Sequence, residues 1–237
     1  MADFEQTRPT FFNVLRIAFP VGAVTSFAHR VSGIVLVVCT PVLVYLLDAS
    51  LRSAEDYERV RVLSDTVSAK ALVVVAVWAF AHHFFAGIRH LLMDIDVGSS
   101  LGGRTAECLV GQYGRRWCCP DRRRNAAMRE TLTGLRAWLL QRLTAVYMIA
   151  FAIFLLTHFA TNAPKSYELW RTWMMRPQVS IATFVFFTAL LLHAWVGIRD
   201  VVLDYLQPMI VRVPVLAVAG FGLLAMEAWI IRILLAS

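Results

Sequence analysis

The chain has 237 residues, of which 59% are hydrophobic and only 16% charged, with a formal net charge of +7 and a mean hydropathy of +0.63. A soluble globule of this size has too little interior to absorb so much apolar surface, so the composition excludes a soluble enzyme domain and requires a bilayer as solvent. The charge is concentrated: residues 104–142 hold nine arginines against three acidic side chains, six of the seven net positive charges.

The first 20 residues contain Asp3 and Glu5 and lack an apolar core with a small-residue cleavage site, so no cleavable signal peptide is expected and insertion would use the first span. Crossing a bilayer takes about 20 apolar residues. Runs of that kind lie near 22–47, 70–93, 138–161, 178–205 and 212–235, which predicts an all-α membrane protein with about five transmembrane helices. Pro20 suits the first turn of the first helix, Pro41 is expected to kink it, and Pro208 falls just past the end of the fourth. Cys39 lies in a span and Cys108, Cys118 and Cys119 in the Arg-rich segment; none shows C-x-x-C spacing, so neither a disulfide framework nor a zinc site is expected.

Lys and Arg are retained on the cytoplasmic side of short loops. With the N-terminus inside, 15 of them lie inside and 8 outside. The N-terminus is therefore expected in the cytoplasm and the C-terminus on the far side. In this setting the Arg-rich run reads as an anchor at the membrane surface rather than a nucleic-acid site, since no soluble domain accompanies it.

The second span ends in HFFAGIRHLLMD at 83–94, and the fourth ends in HAWVGIRDVVLD at 193–204. Upstream, Arg-[Val/Leu]-[Ser/Thr]-[Gly/Ala] also recurs, at 30–33 and 142–145. The chain thus holds two copies of one helical device. Offsets of four, seven and eleven return to one helix face, so His83, Gly87, His90 and Asp94 form one stripe and His193, Gly197, Asp200 and Asp204 another. A glycine one turn from each His leaves bare backbone against which a flat group can lie, and an imidazole can ligate a metal. Each His is eleven residues from the Asp ending its helix, about 16 Å along the axis. His83 and His193 therefore sit at matched depth, as two axial ligands of one haem iron must. His82 competes with His83 and has Ala86 one turn on, although only His83 reproduces the second copy's spacing.

Ionisable groups at membrane depth are costly and point to function. Ser26, His29 and Arg30 share one side of the first span. Arg30 reads either as snorkelling to headgroups or as facing an anionic, electron-rich ligand. Arg89 and His90 lie about 10 Å from His83 along the axis, a distance suited to haem propionates, and His29, Arg30 and Arg142 could add charge-assisted contacts. For Arg142, snorkelling remains the competing reading. His158, at the opposite end of its span, is assigned to the interface without a role. Tyr205 belongs either to an aromatic belt or, with Ser26 and Arg30 at the same depth, to a pocket for a quinone head group, whose oxygens gain negative charge on reduction.

These residues resemble the membrane-anchor cytochrome b subunits of succinate dehydrogenase, respiratory complex II. The first half is similar to the C subunit through Arg8-Pro9, Ser26-Phe-Ala-His29-Arg30-Val-Ser32-Gly33 and His83-x-x-x-Gly87-Ile-Arg89-His90-Leu-x-Met-Asp94. The second is similar to the D subunit through Trp138-Leu-Leu-Gln-Arg142-Leu-Thr-Ala and His193-Ala-Trp-Val-Gly197 followed by Asp204-Tyr205. The resemblance implies a four-helix core with haem b between His83 and His193. It implies a ubiquinone site near the cytoplasmic face with Ser26, Arg30, Asp204 and Tyr205, completed by an iron–sulfur subunit that receives electrons from a flavoprotein subunit. This chain lacks a dinucleotide fingerprint and cluster-type cysteine spacing, so it carries neither flavin nor clusters. The expected location is a bacterial inner membrane.

The family has two chains of three spans each, whereas here the third span of the first half is missing. The expected division is a C-like half at 1–103 with two spans, an Arg/Cys-rich joint at 104–127, and a D-like half at 128–237 with three. The joint reads either as an unusual natural linker or as a frameshift that fused two neighbouring genes. A fumarate reductase anchor working in reverse is a close alternative. A proton-coupled transporter belongs to another class, and the parallel rather than inverted copies speak against it.

Overall fold

The computed structural model describes residues 21–94 and 122–236. Arg8, Pro20, the three cysteines from 108 to 119 and residues 104–121 of the expected joint lie outside them. The described residues form helices α1 (Val21–Arg52), α2 (Ala54–Asp65), α3 (Val67–Asp94), α4 (Arg122–Asn162), α5 (Tyr167–Met174), α6 (Pro177–Tyr205) and α7 (Met209–Ala236), with no strand among them. Five segments are long and apolar enough to cross a membrane: Val24–Arg52, Val67–Leu92, Leu135–Asn162, Pro177–Tyr205 and Met209–Leu235. They match the five apolar runs in number and order. The protein is a multi-pass, all-α membrane protein.

The helices outlast the apolar runs where a polar group finds a partner. The first run stops at Leu47, yet α1 continues through Asp48 to Arg52. Asp48 Oδ2 accepts from Arg52 Nη2 at 2.7 Å, from Trp229 Nε1 at 3.0 Å and from Arg232 Nη2 at 3.2 Å, so a carboxylate only 8% exposed keeps both charge and hydrogen bonds satisfied. Pro41 lies inside α1, which continues through it as one helix. Pro177 opens α6 at a position where its missing N–H costs nothing, and α6 ends at Tyr205, three residues before Pro208.

The sequence reading passed over two short helices. Ser53 caps α2 by accepting the Asp56 N–H at 3.1 Å, and Glu55 and Asp56 complement the positive helix terminus. α2 buries no residue; its Arg61 guanidinium hydrogen-bonds Glu58 and holds that exposed carboxyl below its usual range. Ser166 caps α5 in the same way through the Leu169 N–H, and α5 buries Trp173 and Met174.

Helix α1 packs on α3, α6 and α7, while α6 also packs on α4 and α7. The two halves therefore meet along α1 and α6, with α3 and α4 flanking. The buried core includes Val44 and Leu51 of α1, Trp173 of α5, Phe187 and Leu191 of α6 and Ile230 of α7. Outward faces carry Leu72, Val74 and Phe85 of α3, Leu156 of α4 and Val218 and Phe221 of α7, the reverse of a water-soluble bundle and the arrangement a hydrocarbon solvent favours. Polar ties join α6 to α7: Thr188 Oγ1 donates to Glu227 Oε1 at 2.6 Å, and Arg212 Nη2 donates to Leu203 O at 3.4 Å.

Candidate functional site

The contacts of α1 set the level of the duplicated motifs. Arg30 meets the end of α6 at Asp204, and its neighbour His29 meets α3 at His83 and His90, so α3 and α6 both run antiparallel to α1 and parallel to each other. His83 and His193 come to one depth, with ring centroids 6.3 Å apart and planes at 77°. Two metal–nitrogen bonds of about 2 Å, with about 1 Å more from each nitrogen to its ring centre, separate a pair of axial imidazoles by about 6 Å. The spacing of the two rings therefore fits a pair of imidazoles that would hold one metal between them.

Their second nitrogens are held alike. Nδ1 of His83 lies 3.1 Å from the carbonyl oxygen of His29, and Nδ1 of His193 lies 3.2 Å from that of Gln141. A carbonyl can only accept, so both rings carry their proton on Nδ1 and leave the Nε2 lone pair for a metal. His29 and Gln141 each immediately precede the repeated arginine, Arg30 or Arg142. His82 is held differently: it stacks on Trp78 at 5.8 Å and directs Nδ1 to Ser32 Oγ at 3.3 Å. On this criterion His83, not His82, is the counterpart of His193.

The other residues expected around a haem scatter more. The His29 ring stacks on His83 at 4.1 Å and 17° and tilts against His90 at 5.3 Å, so two of the residues expected at the propionates form a continuous run of imidazoles with the candidate ligand. Arg89 is exposed. The Arg142 guanidinium lies 4.2 Å over the ring of Trp138, one turn back on its own helix, and donates to the Trp138 carbonyl at 3.4 Å. The glycines also differ. An ideal Cβ on Gly197 meets nothing within 4 Å, the open face its spacing suggests, whereas one on Gly87 would stand 3.7 Å from His29 Nε2.

Of the residues expected around a quinone, Arg30, Asp204 and Tyr205 converge. Arg30 Nη1 pairs with Asp204 Oδ2 at 2.7 Å, and its guanidinium carbon stands 5.6 Å from the centre of the Tyr205 ring. Ser26 is half-buried one turn from Arg30 on the same face of α1. The Arg30 and Asp204 side chains remain 36% and 51% exposed, so the trio lines an open surface rather than a closed core. A guanidinium fixed by a carboxylate beside a phenol can stabilise negative charge on a ligand oxygen and supply a proton to it.

Three features escaped the sequence reading. The first is the hydroxyl in the upstream repeat, Ser32 or Thr144, which is buried in both halves. Its recurrence beside the arginine was the available signal. The second is Asp48 with its three donors, which drew no attention at the end of an apolar run. The third is the stack of His158, a residue expected only at the interface, on Trp173 of α5 at 4.5 Å and 13°. No group of three or more His, Cys, Asp or Glu side chains is placed to hold a metal ion among the described residues.

Comparisons with known proteins cover both halves of the chain. The sequence profile of the succinate dehydrogenase/fumarate reductase transmembrane subunit matches residues 5–110 and again 122–232. Over 98 residues, 40% of this chain and 76% of the relative, the sequence is 37% identical to the succinate dehydrogenase cytochrome b556 subunit of Coxiella burnetii (strain RSA 493 / Nine Mile phase I). Over 110 residues, 44% of this chain and 96% of the relative, it is 28% identical to the succinate dehydrogenase hydrophobic membrane anchor subunit of the same organism.

Proposed function

The chain belongs to the succinate dehydrogenase/fumarate reductase transmembrane subunit family, and from that premise we propose that it anchors a succinate:quinone oxidoreductase in the membrane, binds haem b and forms part of its quinone site. The observation that carries this reading is the level pair of imidazoles, 6.3 Å apart, each with Nδ1 turned to a backbone carbonyl. His83 and His193 would hold the haem through Nε2, with His29, Arg30, Arg89, His90 and Arg142 as the candidates for its carboxylates. When bound, haem b supplies a one-electron store between an iron–sulfur subunit and the quinone.

The quinone is substrate, taking up two electrons and two protons to become quinol. Arg30, held by Asp204, would lower the energy of negative charge on a quinone oxygen; the Tyr205 phenol would donate to that oxygen, and the Ser26 hydroxyl would help relay protons from the aqueous side. Flavoprotein and iron–sulfur subunits would dock at the face where these residues emerge. That face is cytoplasmic in this reading, in a bacterial inner membrane with the C-terminus periplasmic, because the chain's Lys and Arg favour that side by 15 to 8.

A reduced-minus-oxidised absorbance spectrum of membranes containing the protein tests the reading. A haem b band is expected, lost on replacing both histidines by alanine; no band in the unaltered protein, or an undiminished one in the double variant, would overturn it. We further read 1–103 and 128–237 as the two anchor halves, joined through 104–127 in one polypeptide. Intact mass should give a single species near 26.7 kDa; two smaller proteins would refute the fusion.

A further inference from the structure

The second half of the repeat, Arg-x-[Ser/Thr]-small, has a position in the structure that its sequence did not explain. Ser32 and Thr144 are 2% and 7% exposed, and each donates its hydroxyl proton back into its own helix, to the carbonyl that also receives the histidine of the neighbouring helix. Ser32 Oγ donates to His29 O at 2.9 Å; Thr144 Oγ1 donates to Gln141 O at 3.0 Å and to Leu140 O at 2.8 Å. With the proton so committed, the oxygen lone pair of each hydroxyl is available to a second donor. The two halves spend it differently. In the second half Thr144 Oγ1 lies 3.2 Å from His193 Nδ1, so that N–H is shared between the Gln141 carbonyl and the hydroxyl in a three-centre bond. In the first half Ser32 Oγ lies 3.3 Å from Nδ1 of His82, a residue whose counterpart in the second copy is Leu192, and His83 Nδ1 has the His29 carbonyl.

The last residue of the motif is small for a reason visible in the first half. A Cβ on Gly33 would come within 3.0 Å of His83 Cε1 and 3.2 Å of its Nδ1, so the ring lies directly on the glycine backbone. The second half carries Ala145 at this position.

We propose that the repeated Arg-x-[Ser/Thr]-small segment, together with the residue before it, is the ligand-positioning part of the duplicated device: the carbonyl of that preceding residue, His29 or Gln141, orients the imidazole, Gly33 seats the His83 ring, and the hydroxyl acts on His193 but not on His83, which would make the two haem ligands electronically unequal. This rests on the bis-histidine haem reading. An acceptor on Nδ1–H makes the imidazole a stronger donor to the metal and favours the more highly charged, oxidised iron. His193, with two acceptors, is the stronger ligand. Thr144, Ser32 and Gly33 are positioning residues in this scheme.

The test uses the full-length protein in its assembled complex, with three readouts: haem content, haem midpoint potential by optical redox titration, and the electron paramagnetic resonance of the oxidised haem. Thr144→Val removes the acceptor and keeps the branched shape. It should retain haem, raise the midpoint potential and change the resonance anisotropy. Thr144→Ser, which keeps the hydroxyl, should return both to the unaltered values, and Ser32→Ala, whose hydroxyl serves His82, should shift the potential less than Thr144→Val. Should Thr144→Val fail to assemble, Thr144→Ala carries the same expectation. Haem present with unchanged potential in the Thr144 variants, or equal shifts at Ser32 and Thr144, would overturn the inequality while leaving the haem reading intact. No haem in the unaltered complex would overturn both.

Discussion

At the α5 end of the bundle, Trp173 stacks on His158 and Trp170, Phe159 tilts against both tryptophans, and Tyr167 and Trp170 donate hydrogen bonds to Leu51 O and Ser50 Oγ at 3.1 Å each. Val44 and Ile230 beside them are wholly buried. Toward the Tyr205 end the neighbours are imidazoles, guanidinia and a phenol, and Arg30 and Asp204 leave a third to a half of their side chains exposed. Both ends contain charged and aromatic groups, yet at the first end Asp48, Tyr167 and Trp170 are tied by hydrogen bonds to other parts of the same chain, whereas at the second Arg30, Asp204 and Tyr205 line an open surface. Packing that stabilises the fold and groups available to ligands thus occupy different depths of one bundle, so substitutions at the two ends should separate cleanly in what they damage.

The largest effect is expected at the histidine pair. His83→Ala or His193→Ala should each abolish or nearly abolish the haem b band while the protein still inserts, as judged by its abundance in washed membranes; a normal band in either would remove that residue from the ligand pair. Next come the groups near Tyr205: Arg30→Ala or Tyr205→Phe should slow quinone reduction by about 100-fold, the low end of the range expected on removing a charge-stabilising donor, because the pair is partly exposed. Succinate oxidation with an artificial dye should persist, and equal loss of both activities would mean failed assembly instead. At the other end, Asp48→Ala leaves Arg52 and Arg232 without their shared carboxylate. The cost should be about 1–3 kcal/mol, less than the roughly 3–5 for a fully buried pair because both arginines are more than half exposed. It should appear as earlier thermal unfolding in detergent with an unchanged haem spectrum. The smallest expected change is Trp170→Phe, which forfeits one hydrogen bond worth about 0.5–1.5 kcal/mol and should leave quinone reduction untouched.

The span count was legible because apolar length is a property of a run by itself, and the matched depth of His83 and His193 because an α-helix rises by a fixed amount per residue. The common level of Arg30 and Tyr205 also followed from depth, whereas their contact with Asp204 did not. What could not be read was azimuth. His29 shares a face with Ser26, but nothing in that spacing says that its ring stacks on His83, a contact set by how α1 and α3 rotate against each other. Asp48 was illegible for a related reason, since its partners Trp229 and Arg232 are some 180 residues away. The helices α2 and α5 were legible in principle: Ser53 three residues before Asp56, and Ser166 two before Glu168, are cap signals that the search for long apolar runs passed over.

The grip of Asp48 on Trp229 and Arg232 joins the first and last helices among the described residues, across the whole Arg-rich segment in sequence. Together with the packing of α1 on α6, it makes the partnership of the halves a matter of docked surfaces, so peptide continuity between them is a convenience of synthesis rather than a condition of architecture. Two polypeptides produced separately, one ending and the other beginning within 104–127, should find each other in the membrane and co-purify as one bundle.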